Sequence, residues 1–351
     1  MKNRWVLMTK YHIDDTVARE KTRLVMKGFT QMYGANYDKT YALVSSYVML
    51  RIFLSIVAIL DLNLMQLDMK NAFLQSKLDR VLYTYLPDYY KDGTGRVCKL
   101  LKSLYGLKQS PLLWYKALNK VLVGVGWKKS QVDEALYFKV GRDGVACWVL
   151  VYVNDLLTAS SSSVVLKELK DLLEAAFELR EISPVERRLI NKEKTERTPK
   201  TPVSVDAYAE LTFDNKEAQE RQEEYRQKVG SLLLAATTMR PDIAFARIKL
   251  GSGLTVRRDQ HWREVDHCLA YLSNTWDTTL EFGGGPESLK LVSYVDVDNA
   301  GNKQNRTSTG VYVFVFRGAA ISWSSQHIKC ATLSSTVSEY VAATEACKEG
   351  H

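Results

Sequence analysis

Two aspartates stand where apolar, strand-like runs of the sequence end. Asp68 closes the run LMQLD, and Asp155 follows the run VLVYVN. Carboxylates that neighbouring strands bring together can hold two metal ions about 3.5–4 Å apart, the arrangement needed for two-metal phosphoryl transfer. Asn154 lies directly before Asp155, where a further carboxylate would make a stronger site. These residues predict a phosphoryl-transfer centre at Asp68 and Asp155.

A long basic stretch occupies residues 96–129, which carry eight lysines or arginines and no acidic residue. Four aromatic residues are interleaved with these cations: Tyr105, Trp114, Tyr115 and Trp127. Such a stretch suits a surface that follows a phosphate backbone and stacks on bases. The alternative is a solvated helix face whose aromatic residues lie in the core. The sequence leaves both interpretations open.

Composition narrows the class of protein. The 351 residues suffice for two or three domains, and an apolar content of 46% is ordinary for a globular protein. The five cysteines form no CxxC pair, so neither a zinc knuckle nor a disulfide framework is indicated. The most apolar stretch, residues 49–60, contains Arg51 and is shorter than the ~20 residues of a membrane span. Without a signal-peptide pattern, we expect an intracellular protein, cytoplasmic or nuclear, with no membrane partner.

Residue periodicity predicts a mixture of helices and strands. Residues 4–8 and 22–29 alternate like the strands of a hairpin, and ACWVLVYVNDLLTAS has the pattern of strand, tight turn and strand. Asn154 and Asp155 fall at that turn. Helical spacing of apolar residues covers residues 48–60, 110–125 and 164–179. After residue 225, two helical segments precede three β-like runs and a closing helix, so the expected fold class is α+β.

Residues 181–203 differ from the segments around them. They are charged, contain three prolines and lack apolar periodicity. This composition predicts a linker or a disordered segment between two folded parts of the chain.

Seven segments of the chain form a recognisable series. In their order they resemble the reverse transcriptase of copia-type long-terminal-repeat retrotransposons, followed by the start of its ribonuclease H domain. The resemblance covers nearly the whole chain. The segments are TRLVMKGFTQMYGANYDKTYALV, QLDMKNAFLQSKLD, VCKLLKSLYGLKQSPLLWY, VYVNDLL, VGSLLLAATTMRPDIAFA, VDVDNAGNKQNRTSTGVYVF and AAISWSSQHIKCATLSSTVSEYVAATEA.

The resemblance implies a particular domain organisation. Residues 1–180 would form the fingers and palm of a reverse transcriptase, built on an antiparallel palm sheet. The charged linker at residues 181–203 would replace a deleted primer-grip region. A helical thumb or connection remnant would follow at residues 204–285, and a partial ribonuclease H-like α/β domain at residues 286–351.

The resemblance further implies an RNA-directed DNA polymerase. Its partners would be an RNA template, a DNA primer and deoxynucleoside triphosphates, and its cofactors two Mg²⁺ or Mn²⁺ ions. Asp68 matches the first metal-binding aspartate of the family, and Asn154 and Asp155 match the aspartates of its YVDD motif. Asp68 and Asp155 are therefore the metal ligands that remain in this chain.

Five residues match the nucleotide-binding positions of the family. Phe73 matches the aromatic residue beneath the sugar, where a ring leaves no room for a ribose 2′-OH. Arg23 and Lys27 match the basic strand that grips the triphosphate, and strand alternation would place both on one face. Tyr105 and Gly106 belong to the loop that lies against nucleotide and template, where glycine permits close approach of the main chain.

In the last part of the chain, Asp296 and Glu339 match the first two metal-binding carboxylates of ribonuclease H. The segments that supply the remaining acids are not found before His351, so we expect this site to be incomplete. The chain also enters the family pattern partway through the fingers, and it lacks the Phe-Leu-Gly strand that holds the primer end.

The departure at Asn154 bears most directly on activity. An asparagine keeps the shape of aspartate but loses a full negative charge, so metal occupancy should drop. Three hypotheses follow from the sequence: an impaired or inactive polymerase, a catalytically dead nucleic-acid-binding remnant, and a degenerate copy without selected function.

Overall fold

The computed structural model describes residues 1–11, 16–42, 45–182, 199–203, 222–252, 259–284, 289–301, 307–328, 330 and 334–350. The chain divides into two compact units. The first comprises residues 1–53 and 59–188, and the second comprises residues 54–58 and 189–351. The division near residue 188 falls within the charged segment 181–203.

The first unit is built mainly from antiparallel strands. Its strands are β1 (Asn3–Tyr11), β2 (Val17–Met26), β3 (Asn63–Met69), β4 (Tyr83–Tyr85), β5 (Val97–Lys99), β6 (Lys128–Lys129), β7 (Leu136–Val140), β8 (Ala146–Tyr152), β9 (Asp155–Ser160) and β10 (Leu179–Ile182). Its helices are α1 (Tyr47–Ile59), part of which clusters with the second unit, α2 (Ser110–Gly124) and α3 (Ser163–Ala176). Two short 3₁₀ helices, Gly28–Thr30 and Ala72–Gln75, follow β2 and β3.

Three sheets are found among the described residues of this unit. The largest has six strands in the order β10-β3-β9-β8-β7-β6, and all its pairs are antiparallel. β1 and β2 form the hairpin that the alternation predicted, and β4 pairs with β5. Antiparallel neighbours such as β8 and β9 can be joined by a tight turn, whereas parallel strands would need longer crossover connections.

The core of the unit lies on one face of the six-stranded sheet. Along β3, Leu67 and Met69 are buried in this core, whereas Gln66 and Asp68 alternate with them toward the opposite face. Helices α2 and α3 cover the apolar face, and burial of a leucine side chain contributes about 1.5–3 kcal/mol. The buried helix residues are Leu113, Trp114, Leu118 and Leu122 of α2 and Leu166, Leu169 and Leu173 of α3.

The structure decides the alternatives left open for the aromatic residues of the basic stretch. Trp114 and Trp127 are only 2% and 5% exposed and belong to the core. Tyr115 is partly buried and accepts a hydrogen bond from the ammonium of Lys129. The two tryptophans are therefore core residues, and an exposed stacking surface formed by them is wrong.

Two predicted boundaries are corrected by the structure. Helix α3 ends at Ala176 instead of residue 179, because Phe177 adopts an extended conformation (φ −141°, ψ 151°) and Leu179–Ile182 pairs with β3 as β10. This strand also takes the first two residues of the expected linker. Asp155 is the first residue of β9, so the turn itself is formed by Val153 and Asn154.

The second unit combines helices with a small sheet. Its helices are α4 (Gln222–Thr238), α5 (Ala244–Ser252), α6 (Asp259–Asn274) and α7 (Ser335–Gly350), and its strands are β11 (Leu291–Asp298), β12 (Thr309–Phe316) and β13 (Ala319–His327). The three strands form an antiparallel sheet in the order β11-β12-β13, against which α7 packs. This order of helices, strands and closing helix agrees with the periodicity of the sequence, except that the first of the two expected helical segments is divided at Pro241 into α4 and α5.

The helices of the second unit enclose their own core. Tyr225 and Val229 of α4 and Val265 of α6 are fully buried there. At the end of α4, the Arg240 guanidinium donates to both carboxylate oxygens of Asp242, at 2.7–3.2 Å, and to the main chain and hydroxyl of Thr275. Across the described part of the chain, no helix has both the length and the apolar content that crossing a bilayer requires.

Candidate active site

The candidate site is a row of side chains across four strands of the six-stranded sheet. Arg180 on β10 pairs with Asp68 on β3, Asp68 pairs with Asp155 on β9, and Asp155 pairs with Tyr152 on β8. Directly paired residues of antiparallel strands project from the same face with Cβ atoms about 5 Å apart. The structure thus brings Asp68 and Asp155 together on the face opposite the core.

The turn between β8 and β9 fixes the position of Asn154 and Asp155. Val153 has a left-handed φ of +57°, which costs a residue with a side chain about 1–2 kcal/mol. Two hydrogen bonds hold the turn in this conformation. The Trp114 indole N–H donates to the Val153 carbonyl at 2.6 Å, and the Met69 N–H donates to the Asn154 carbonyl at 2.9 Å.

Both carboxylate oxygens of Asp68 accept hydrogen bonds from protein groups. Arg180 Nε donates to Oδ2 at 2.9 Å in an ion pair, and Asn154 Nδ2 lies 3.4 Å from Oδ1. A carboxylate can only accept, so Asn154 presents its amide N–H₂ to Asp68. In this arrangement the Asn154 side chain adds a donor to the site where an aspartate would add a negative charge.

Asp155 is half-buried beside this pair. Burial raises the pKa of the Asp155 carboxyl, and the negative charge of Asp68 raises it further. The Arg180 guanidinium and a hydrogen bond from Gln66 oppose this shift of the pKa. A raised pKa from burial and a neighbouring acid is characteristic of closely set carboxylates.

An aromatic cluster stands next to the acids. Phe73 follows β3 in the short 3₁₀ helix, and its ring meets the Tyr105 ring edge-on with centroids 5.0 Å apart. The Arg23 guanidinium lies 5.1 Å from the centroid of the same Tyr105 ring. Burial raises the pKa of Tyr105, with Arg23 opposing and Asp68 adding to the shift. Tyr105 therefore interacts electrostatically with both Arg23 and Asp68.

Two glycines allow the loop before α2 to touch the end of β2. Gly106 has φ +86°, and a Cβ there would lie 2.1 Å from the Met26 carbonyl oxygen. A Cβ on Gly28 would lie 2.0 Å from the Gly106 carbonyl oxygen. The Met26 N–H donates to the Tyr105 carbonyl at 2.8 Å. Close main-chain contact therefore explains both glycines.

Lys27 lies in a different environment from Arg23. Strand β2 ends at Met26, and Lys27 has φ −82° and ψ 73°, so the two-residue alternation does not extend to it. Lys27 lines a cavity together with Lys2 and Tyr85. The alternation argument assumed a strand that continues to residue 29, so it does not apply to Lys27.

The second group of expected acids lies on β11 and α7. Asp296 is exposed in the middle of β11, opposite Val311, and Glu339 is exposed on α7. The neighbouring Ser338 is buried and donates to Asn299 Oδ1 at 3.0 Å. The structure thus places Asp296 and Glu339 on packed elements without a described contact between their side chains.

The acids at positions 68 and 155 have the chemistry of a divalent-cation site. Mg²⁺ and Mn²⁺ favour carboxylate oxygens, and the paired negative charges of Asp68 and Asp155 have a cation, Arg180, beside them already. Within the described ranges, no group of three or more acidic, histidine or cysteine side chains forms a ligand cluster. On this face, Asp68 and Asp155 are the two carboxylates available to a divalent ion, and such ions commonly complete their coordination with water and substrate phosphates.

Several residues of the site escaped the sequence argument. Arg180 and Gln66 contact the acids, and the Trp114 indole holds the turn. The alternation in NLMQLDM places Gln66 on the same face as Asp68, so Gln66 could have been found. Arg180 lies in a strand of four residues, which is too short for periodicity to identify.

Comparison with known proteins identifies the family. A family model described as reverse transcriptase (RNA-dependent DNA polymerase) matches residues 1–214. The chain is 35% identical, over 99% of its length, to the retrovirus-related Pol polyprotein from transposon TNT 1-94 of Nicotiana tabacum. It is 32% identical, over 96% of its length, to the Pol polyprotein from transposon RE2 of Arabidopsis thaliana.

These relatives are much longer than the chain. The matched regions cover 28% and 25% of the two Pol polyproteins, so the chain spans about a quarter of their length. A putative transposon Ty5-1 protein of Saccharomyces cerevisiae is 28% identical over 81% of the chain and is matched over its entire length. The chain belongs to the reverse transcriptase family, among the copia-type retrotransposon Pol polyproteins.

Proposed function

We propose that the first unit is the fingers and palm of a copia-type reverse transcriptase whose nucleotidyl-transfer centre is impaired by Asn154. The single observation that carries this proposal is the pairing of Asp68 with Asp155 on adjacent strands. The antiparallel six-stranded sheet would be the palm, and the β1–β2 hairpin would belong to the fingers.

The chain's own residues have defined parts in this proposal. Asp68 and Asp155 would hold the divalent cation, which supplies the positive charge that phosphoryl transfer requires. Main-chain bonds from Met69 to the turn keep the two carboxylates in register. Asn154 would weaken cation binding, because its amide presents donors to Asp68 and contributes no charge.

The aromatic cluster would select and hold the nucleotide. The Arg23 Nε is buried and has no hydrogen-bond partner among the described atoms. An orphaned buried donor costs about 1–3 kcal/mol, and a triphosphate oxygen would satisfy it. The Phe73 ring, held edge-on by Tyr105, would exclude a ribose 2′-OH and so favour deoxynucleotides.

The remainder of the chain fits a shortened copia-type protein. The alignment with the tobacco relative runs over 381 positions, so at least 30 positions of that relative have no counterpart among the 351 residues here. This supports a deletion of the kind expected for the primer-grip region. The helices α4–α6 would be the thumb or connection remnant. The β11–β13 sheet with α7 would be a partial ribonuclease H-like domain carrying Asp296 and Glu339.

Primer extension on an RNA template tests the proposal. Purified chain is assayed with a DNA primer, deoxynucleotides and Mg²⁺ or Mn²⁺, beside Asn154→Asp and Asp68→Asn variants. We expect no extension by the chain as it stands. Extension by Asn154→Asp that is lost when Asp68→Asn is added to it would show that the acids form the centre and that the missing primer-grip strand is dispensable. Synthesis that persists in the Asp68→Asn variants would contradict a centre at these acids.

Nucleic-acid binding without synthesis is a second candidate function, favoured by one observation. Two adjoining cavities share Lys2, Lys27 and Tyr85. Phe29 and Tyr83, which line the second cavity, are 80% and 51% exposed. Cations beside exposed rings suit a single strand whose phosphates are neutralised and whose bases stack.

Salt-dependent binding of a labelled single strand tests this candidate. Each lost phosphate contact reduces the slope of log K against log salt by about 0.7 for single strands, so Lys2→Gln with Lys27→Gln should reduce it by about 1.4. Lys139→Gln with Lys167→Gln, two exposed lysines of β7 and α3 that lie outside the basic stretch, is the matched control. An equal reduction of the salt slope in both double variants would indicate non-specific electrostatic binding and would contradict a localised binding surface.

A further inference from the structure

The ion pair between Arg180 and Asp68 occupies the centre of the candidate metal site. Arg180 Nε lies 2.9 Å from Asp68 Oδ2, and the two residues are direct partners across β10 and β3. The main-chain register therefore fixes the guanidinium beside the carboxylate. Since Asn154 Nδ2 approaches Asp68 Oδ1, each Asp68 oxygen has a protein donor.

A cation that binds Asp68 must displace one of these protein donors. A divalent ion coordinated by an Asp68 oxygen would take the place that a protein donor holds, and it would meet the positive charge of Arg180. At about 6 Å in water, a single charge and a double charge repel by roughly 1.4 kcal/mol, which is a factor of about ten in affinity.

The pair is also able to open. The Arg180 side chain is 55% exposed and the Asp68 side chain 21%. Exposed ion pairs contribute little to stability, so the guanidinium can leave for solvent without unfolding the sheet. The Arg180 side chain can therefore either neutralise Asp68 or release it.

We infer that Arg180 is the resident counter-ion of Asp68 and competes with the divalent cation for this carboxylate. The inference rests on the proposed function of the site. Arg180 would lower the affinity for the ion and keep the acidic pair compensated when no ion is bound.

Mn²⁺ binding to the whole chain tests this competition. Free Mn²⁺ is measured by its electron paramagnetic resonance signal during a titration, without nucleotide or primer. We expect Arg180→Gln to bind Mn²⁺ about tenfold more tightly than the parent chain, because its side chain is neutral. Arg180→Lys retains the charge and should bind within about twofold of the parent. Asp68→Asn, alone or with Arg180→Gln, should abolish this binding.

A neighbouring ion pair provides the matched control. Lys170 on α3 donates to Glu181 of β10 at 2.9 Å, so Lys170→Gln removes a pair from the same strand without touching Asp68. This variant should bind Mn²⁺ like the parent chain. A tenfold higher Mn²⁺ affinity in Lys170→Gln would show that loosening β10 is sufficient to strengthen metal binding. It would overturn the role of Arg180.

The remaining outcomes separate the inference from the proposed function. If Asp68-dependent binding is found and Arg180→Gln binds no more tightly than the parent, competition is refuted and the metal site stands. Weaker binding in Arg180→Gln would refute competition as well. If no variant shows Asp68-dependent Mn²⁺ binding, the proposed centre fails, and the inference fails with it.

Discussion

Replacing Gly106 with alanine should destabilise the first unit by forcing apart two main-chain segments beside the candidate site. Gly106 has φ +86°, and the new Cβ would lie 2.1 Å from the Met26 carbonyl oxygen. The left-handed φ costs about 1–2 kcal/mol, and relief of the overlap about 1–3 kcal/mol. The required shift also weakens the bond from the Met26 N–H to the Tyr105 carbonyl, worth about 0.5–1.5 kcal/mol. We expect a total loss of about 3–6 kcal/mol.

Gly126→Ala is the matched control for this prediction. Gly126 has φ +91° with no atom within 4 Å of the added Cβ, so only the conformational cost of about 1–2 kcal/mol applies. Urea denaturation followed by tryptophan fluorescence compares the two variants, and hydrogen exchange at the Met26 amide reports the local contact. Equal losses of stability in both variants, with unchanged Met26 exchange, would refute the close-contact argument.

Substitutions at three further positions test other features of the structure. Burial and Asp68 raise the pKa of Asp155, so its stabilising contribution is complete below the unfolded pKa and is lost as pH rises through the folded pKa. Asp155→Asn should therefore be more stable than the parent at about pH 7 and equal to it at about pH 3, in urea titrations at both pH values. Trp114→Phe leaves the Val153 carbonyl without its indole donor and should cost about 1–3 kcal/mol; an unchanged urea midpoint would contradict this. Arg240→Met leaves Asp242 without its buried partner and should cost about 3–5 kcal/mol in the unfolding of the second unit, measured by hydrogen exchange in α4 and α6. Arg240→Lys should rescue this loss poorly, because an ammonium lacks the planar fork that meets both oxygens of Asp242.

The candidate acidic pair was accessible to sequence reasoning because it depends on long, regular elements. The end of β3 alternates polar and apolar residues, β8 is a continuous apolar run, and the turn between β8 and β9 is short. Strands joined by a short turn pair with each other, so the sequence predicts Asp155 beside the turn of a hairpin. The same reasoning succeeded for α2, whose apolar spacing persists over 15 residues.

The features that sequence reasoning missed depend on tertiary context. In β10, the four residues LREI carry too little periodicity to separate a strand from the tail of a helix, and β3 decides the outcome by pairing with them. Whether Trp114 stacks on a ligand or fills the core depends on which face of α2 meets the sheet, and Trp127 reaches the same core from beyond the end of α2. The spacing of Arg23 and Lys27 was informative only if β2 continued past Met26, and the strand ends there.

The main-chain geometry of the site does not depend on which side chain residue 154 carries. Main-chain pairing holds Asp68 opposite Asp155, and the Asn154 carbonyl accepts the Met69 N–H whatever side chain residue 154 carries. The charge of the acids is partly compensated by Arg180 and by the hydrogen bond from Gln66. An asparagine at position 154 adds a donor near Asp68, whereas an aspartate there would add a third negative charge, which repels the other two until a cation binds. Asn154 is therefore compatible with the fold in the absence of a metal ion, because it adds no negative charge beside Asp68.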